Sequence, residues 1–466
     1  MIDYYELRKI VSKIIPRQTR LKLDKNIVDA VKEKGRKTGY HQFNIKNKEW
    51  VKQERLLNTE TVNSFLEISI RAAACPMPLN LDVWDGLICP FKCIYCFANA
   101  FRASLYTAFF DNSKTMGYRH CNPDFYKTEL DKLMGSRGQN PKELSDIKKA
   151  LAMEIPIRFG IRFEDFLYAE GKKGISLELL QYLANVDYPV MINTKSDLVA
   201  REEYLRALAD NKGKAAVHIT MISSNEGILK KLEPGAPTFK KRIEAGKKLV
   251  DAGVRVVARI EPFLLFVNDN KDDVEDYISQ LKDAGIKNIT FDTYSYTAHN
   301  PGIRSAFVSE GYDFERLFLL GCDSQAIGSL LLGSFMDIFQ KQGFSCSTFD
   351  MGNTPQNNQT VCCEVEDWFG DGYNYGCTVW ASRYIQQQNG KPVNWFEFEK
   401  FVEGKGGFLT EKIKADVKQL WNCDGNNAYS HSWAKGMEAV GIDENGLIWK
   451  FVKQSDFRLD ILNSII

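Results

Sequence analysis

The chain has 466 residues, 44% of them hydrophobic and 26% charged, a balance that excludes a disordered or collagen-like polymer and fits a globular protein of one large or several ordinary domains. Sixty-one Lys and Arg against 60 Asp and Glu leave a net charge of +1, which excludes a uniformly polycationic nucleic-acid binder while allowing a local basic patch. Met1 to Glu6 shows no basic stretch followed by an apolar run, and the nearly uncharged stretch Gln325–Met336 is too short to cross a bilayer, so a cytoplasmic protein without membrane contact is expected.

Residues 1–60 carry fifteen Lys or Arg and eight Asp or Glu, so the remainder of the chain is net acidic. Tyr4 to Ile15 predicts an amphipathic helix stopped by Pro16, and Asp24 to Lys34 a second stopped near Gly35. Residues 1–78 thus read as a basic, mostly helical extension. From residue 79 short apolar runs alternate with helical patterns. The strand candidates are Leu79–Ile88, Ile155–Ile161, Pro189–Thr194, Ala215–Ile222, Val254–Phe263 and Asn288–Tyr294. Helices are expected at Ser176–Ala184, Arg201–Ala209, Thr238–Ala252 and Lys271–Ala284, with Gly253 and Gly285 as left-handed caps. The first crossover is long and predicts two extra helices, Asp124–Leu133 and Pro141–Met153. The pattern is an α/β chain with a partial (β/α)6 TIM-type barrel over residues 79–299. Residues 300–466, with one long helix near Phe314–Gln342, read as a C-terminal α+β extension rich in aromatics and cysteine.

Eleven cysteines in such a chain point to metal ligands, reactive thiols or core residues rather than to disulfides. Cys89-Pro-Phe-Lys-Cys93-Ile-Tyr-Cys96 follows the first strand directly. Three thiolates at these spacings suit three irons of a cubane and leave the fourth iron without a protein ligand, whereas electron-transfer ferredoxins use four cysteines. Structural zinc needs a fourth ligand, and the next candidates, His120 and Cys121, lie over twenty residues away.

With Tyr95 ahead of the last cysteine and a βα barrel around it, this loop resembles the radical S-adenosylmethionine superfamily over roughly residues 79–296. Within it the chain is similar to the spore photoproduct lyase-like branch, through Thr194-Lys195-Ser196, Ser223-Ser224-Asn225 and, most specifically, Leu232-Glu233-Pro234-Gly235-Ala236-Pro237 running into Arg242. The resemblance implies a [4Fe-4S] cluster on Cys89, Cys93 and Cys96 that binds S-adenosylmethionine at its open iron. It implies reductive cleavage of that cofactor to a 5′-deoxyadenosyl radical, which abstracts a hydrogen from substrate. It also implies a low-potential electron donor such as flavodoxin or ferredoxin. Lys195 is then placed to neutralise the cofactor carboxylate. Ser223, Ser224 and Asn225 are placed for its ribose or carboxylate, or else form a plain turn. Glu164 and Asp165, without the usual Gly-Gly-Glu form, are candidates for its amino group. Tyr95 flanks the adenine or packs, and Glu261, at the end of the fifth strand, is a candidate to face substrate. The lyase carries a hydrogen-donating cysteine after its second strand; here Phe159-Gly160-Ile161-Arg162-Phe163 has none, which puts lyase-type reversal of a thymine dimer in doubt.

Cys346, Cys362, Cys363 and Cys377 form a looser group that reads either as a second iron–sulfur or zinc site, completed by Cys423 or His431, or as core thiols. The substrate expectation is a macromolecule, nucleic acid first, followed along its phosphates by Arg8, Lys9, Lys13, Arg17, Arg20 and Lys22 with Tyr4 and Tyr5 for stacking. The alternatives are a peptide or protein substrate and, in another class, a redox or scaffold protein whose cluster only stores electrons.

Overall fold

The computed structural model describes residues 3–13, 41–44, 49–52, 66–68, 75, 77–85, 89–96, 98, 119–161, 163–294, 301–314, 317, 326–348, 363–365, 368, 376–422 and 437–451. The chain opens with α1 (Tyr4–Lys13) and an antiparallel hairpin of β1 (His41–Asn44) and β2 (Glu49–Lys52). Next come β3 (Glu67–Ile68), β4 (Leu79–Leu81) and the short antiparallel pair β5 (Trp84–Asp85) and β6 (Arg119–His120). The first crossover holds α2 (Pro123–Met134) and α3 (Asp146–Ala152). After it strands and helices alternate: β7 (Ile157–Phe159), α4 (Glu170–Lys173), α5 (Ile175–Asn185), β8 (Val190–Thr194), α6 (Glu202–Ala209), β9 (Ala215–Thr220), α7 (Glu226–Leu232), α8 (Phe239–Asp251), β10 (Arg255–Phe263), α9 (Lys271–Asp283) and β11 (Asn288–Thr293). Then follow α10 (Pro301–Ser309), α11 (Ala326–Lys341), β12 (Ser345–Thr348), α12 (Thr378–Gln387), α13 (Trp395–Gly404), α14 (Glu411–Trp421) and the hairpin β13 (Met437–Asp443) and β14 (Gly446–Phe451).

The main sheet runs β12-β11-β10-β9-β8-β7-β4-β3, with β3 antiparallel and the other neighbours parallel. It is an open, partial TIM-type barrel. The six expected strands are present, and β12 adds a seventh parallel strand from beyond residue 299, behind α11. The three polar residues of Ser345-Cys346-Ser347-Thr348 hid that strand from a search for apolar runs. Of the long helix expected near Phe314–Gln342, Phe314 and Leu317 are helical and α11 covers Ala326–Lys341, while 315–316 and 318–325 lie outside the described residues. Pro141 opens a single 3-10 turn, with α3 starting after Ser145.

Local signals explain the boundaries. Asn122 caps α2 ahead of Pro123, Thr238 caps α8, Asn270 caps α9, and Asn394 with Glu397 forms a reciprocal capping box on α13. Gly253 and Gly285 take the positive φ expected just past α8 and α9.

The two faces of the sheet differ, a feature that a search for short apolar runs does not reveal. Register places Asn193, His218 and Val257 in one row, and Thr220, Arg259, Thr290 and Ser347 in the next, all on one side. The other side carries Ile192, Val217, Val256, Ala258, Ile289, Phe291 and Cys346. Phe291 lies 5.2 Å from Phe339 of α11, so this apolar side is the one under the helices. The polar side is the inner face of the barrel.

α1 lies against α11. The Tyr4 ring is 5.2 Å from Phe335, its hydroxyl donates to buried Asp269 at 2.6 Å, and Arg8 pairs with the same carboxylate at 2.7 Å. This corrects one expectation: Tyr4 is buried rather than free to stack on bases, and Arg8 is neutralised. Lys9 pairs with Glu6 at the surface. Arg17, Arg20, Lys22 and the expected helix at 24–34 lie outside the described residues.

Candidate active site

The cysteine loop sits at the C-terminal edge of the sheet. Two turns shape it, with the Lys92 amide donating to Cys89 O at 3.1 Å and the Cys96 amide to Cys93 O at 3.2 Å. Lys92 takes a positive φ of 51° at the tight point. Cys93 is buried, while Cys89 and Cys96 are half-buried. Among the described residues no three His, Cys, Asp or Glu converge on one point as a single metal ion requires. A cubane asks for something different, since each thiolate takes its own iron. Burial pushes the Cys93 thiol well above its ordinary value against the opposing pull of Lys195, so its thiolate form needs added positive charge nearby, which a metal cluster would supply.

Lys195 follows β8 in the inward parity of Asn193, and its ammonium lies 5.5 Å from the centre of the Tyr95 ring. Burial pulls its pKa down, but Cys93, Glu233 and Cys96 outweigh that and hold it above the ordinary value, so Lys195 is charged beside the thiols. Its backbone amide donates to Glu164 at 3.1 Å, and Thr194 Oγ1 donates to the same carboxylate at 2.5 Å. Glu164 thus stands at the edge of the site. Asp165 turns the other way: it accepts from the backbone amides of Trp84 at 2.9 Å and Gly160 at 2.7 Å and fastens β5 to the end of β7.

Ser223, Ser224 and Asn225 form the turn between β9 and α7. Ser223 Oγ accepts from the Asn225 amide, Ser224 Oγ donates to Asp273 O at 2.7 Å, and Asn225 caps α7 through the amides of Gly227 and Ile228 while its own amide nitrogen reaches Asp273. Ser224 and Asn225 thus join α7 to α9, while Ser223 closes the turn. Glu261 ends the polar row at the barrel mouth, paired with Arg259 and accepting from Thr290 Oγ1 at 3.2 Å.

Sequence reasoning quoted Glu233 and Arg242 as signature residues without giving them a task. Arg242 is completely buried on the core stripe of α8, with Phe239, Ala245 and Leu249. An arginine in such a stripe is the signal that was available, because a buried charge needs a partner. Its Nη2 lies 2.5 Å from Glu233 Oε2, an ion pair with both side chains fully buried, and Tyr95 donates its hydroxyl to Glu233 Oε1.

The described members of the second cysteine group, Cys346, Cys363 and Cys377, lie on different elements. Cys346 is on the helix side of β12, its thiol donating to Phe344 O at 3.7 Å. Cys363 has its backbone on the polar side, where its carbonyl accepts from His218 Nε2 at 3.0 Å. Cys377 stands at the residue before α12 in the C-terminal helices, without a side-chain capping bond. Cys362, Cys423 and His431 lie outside the described residues. His218, inside β9, is buried and bonded in this way.

No family model matches the chain, and no curated protein does. Among solved structures it is similar to a variant of spore photoproduct lyase, with 14% identity, 62% of this chain and 80% of that one covered, and a TM-score of 0.43. It is also similar to Streptococcus suis SuiB bound to precursor peptide SuiA (12% identity, 59% and 49% covered, TM-score 0.38) and to methylornithine synthase (13%, 69% and 85%, TM-score 0.33). Likeness at this level does not decide an activity, which rests on the chain's own residues.

Proposed function

We propose that the chain is a radical S-adenosylmethionine enzyme that holds one [4Fe-4S] cluster on Cys89, Cys93 and Cys96 and acts on a macromolecule, nucleic acid in the first place. The observation that carries this reading is the three-thiol loop at the C-terminal edge of an open βα barrel, with the charged Lys195 beside it. Barrel loops at that edge converge on one mouth, where catalytic groups gather. When bound, the cluster and S-adenosylmethionine supply a reductive carbon–sulfur cleavage that begins hydrogen abstraction from substrate.

The chain's own contribution is placement. Three cysteines hold the cluster and leave one coordination position open to a ligand. Lys195 neutralises the cofactor carboxylate, and Glu164 stands beside it for the amino group. Tyr95 walls the site, and its burial with Phe91 and Cys93 keeps water from the reacting atoms. Glu261, oriented by Arg259 and Thr290, faces substrate from the inner face. A flavodoxin or ferredoxin delivers the electron.

The test is anaerobic reconstitution with iron and sulfide, a strong reductant and S-adenosylmethionine, followed by assay for 5′-deoxyadenosine. Its formation by the wild type and loss in Cys93→Ala are expected. A reduced cluster that forms no 5′-deoxyadenosine makes the chain a redox or scaffold protein instead. For substrate, single-stranded and duplex DNA and RNA are titrated at two salt concentrations with wild type and with Lys9 and Lys13 changed to Ala. Affinity falling with salt by about 0.7–0.9 logarithmic units per phosphate neutralised supports nucleic acid. Weak, salt-indifferent binding moves the assignment to a peptide or protein substrate.

A further inference from the structure

The cysteine loop has two kinds of backbone contact. Its internal turns fix its shape but not its position on the barrel. Position comes from residues far along the chain: the Ile94 amide donates to Leu232 O at 2.9 Å, and the Gly235 amide donates to Phe91 O at 3.1 Å. A Cβ on Gly235 would stand 2.0 Å from Pro90 O, so only glycine allows this approach.

A side-chain path reinforces the backbone one. Tyr95, between Cys93 and Cys96, donates to Glu233, and Glu233 is paired with Arg242. Arg242 donates from Nη1 to Thr220 O, at the end of β9, and from Nε to Pro237 O, both at 2.9 Å. The last strand residue of β9 is thereby linked to the residue that separates two cluster ligands. A fully buried ion pair adds little stability over an apolar pair of the same size, so its use lies in geometry. The same path sets the Tyr95 ring, against which Lys195 rests.

Resting on the reading above, we propose that the segment Leu232–Arg242 is a clamp that sets the cysteine loop in place before iron arrives, with Tyr95, Glu233 and Arg242 as its positioning residues. A site that must present three thiolates to three separate irons needs its supporting groups fixed in advance, and the clamp fixes them from a rigid strand end.

The test compares wild type, Tyr95→Phe and Glu233→Gln in two states. In the iron-free full chain, hydrogen exchange of amides 89–96 is expected to quicken about tenfold or more in Tyr95→Phe, the scale of a lost hydrogen bond to a charged group, with β8–β10 unchanged. In the reconstituted chain, Tyr95→Phe is expected to take up iron as the wild type does while the paramagnetic resonance spectrum of its reduced cluster changes. Loop exchange unchanged in both variants overturns the clamp, and so does exchange raised equally across the barrel strands, which marks general destabilisation. Glu233→Gln leaves Arg242 buried without its partner charge; should it fail to fold, Tyr95→Phe, which keeps the ion pair, decides alone. A wild type that takes up no iron sinks the enzyme reading, while the exchange comparison still decides the clamp.

Discussion

Lys195 and His218 show how position on a strand decides what a basic side chain does. Both have inward parity on neighbouring strands, Lys195 at the rim and His218 one level deeper. At the rim a cation next to thiols stays charged, and in the function proposed above it meets an incoming carboxylate. Lys195→Ala is therefore expected to raise the apparent KM for S-adenosylmethionine about tenfold or more, read from 5′-deoxyadenosine formation. An unchanged KM would return it to packing on Tyr95. Deeper in, burial is the leading cause that lowers the His218 pKa to about 3, with Arg259 adding to it, and the ring stays neutral with Nε2 donating to Cys363 O. Since an unfolded histidine titrates near 6.5, the unfolded chain binds a proton that the folded one refuses between those values. Stability from His218 is thus present above about pH 6.5 and lost as pH falls towards 3. Between pH 7 and pH 5 the wild type should lose about 2 kcal/mol more in chemical unfolding than His218→Asn. Equal losses would show that His218 is protonated in the fold.

Among the elements, strands and helices with a clean period were legible from sequence, while side-chain tasks at their ends were not. β8, β9, β10 and β11 lie within the expected runs because each has an apolar outer face, and α8 and α9 end where Gly253 and Gly285 allow a left-handed residue. β12 was missed because alternation of Ser and Cys at a sheet edge does not look apolar. Ser223-Ser224-Asn225 illustrates the second difficulty, since a polar triplet after a strand reads equally as a ligand site or as a cap. Asn225→Ala should cost about 1 kcal/mol of stability, the usual value of an N-cap, and leave the KM for S-adenosylmethionine unaltered. A raised KM would restore the cofactor role. Gly235→Ala acts on a different link: its methyl group meets Pro90 O, so the cysteine loop must shift. Reconstituted iron should drop well below the wild-type content while circular dichroism keeps the α/β spectrum.

At the scale of the whole molecule, length and composition indicated a globular protein, the alternation of short apolar runs with helical patterns indicated an α/β chain, and the cysteine loop carries the proposed chemistry, because spacing in a short segment survives without tertiary information. What depends on distant segments meeting was not legible. The docking of α1 through Asp269 turned a basic helix expected to grip phosphates into one whose Tyr4 and Arg8 pack, since a buried carboxylate over 260 residues away could not be foreseen from the basic stretch. The same limit applied to the later cysteines, whose proximity in sequence suggested a common metal. Cys346 lies on the apolar face of the sheet, against Ile289, and the backbone of Cys363 runs over the opposite face, where Arg255 also donates to Glu364 O at 2.5 Å. Cys377 belongs to the helices that follow. Ligands on two faces of one sheet do not share a cubane unless the strand edge unfolds, and burial pushes the Cys346 thiol up, which opposes ligation further. The anaerobically reconstituted chain is therefore expected to hold roughly four irons, one cluster's worth. Cys346→Ala should leave that number unchanged, whereas Cys93→Ala should bring it close to zero. Roughly eight irons in the wild type, falling to about four in Cys346→Ala, would show instead that the edge strand opens to build a second cluster.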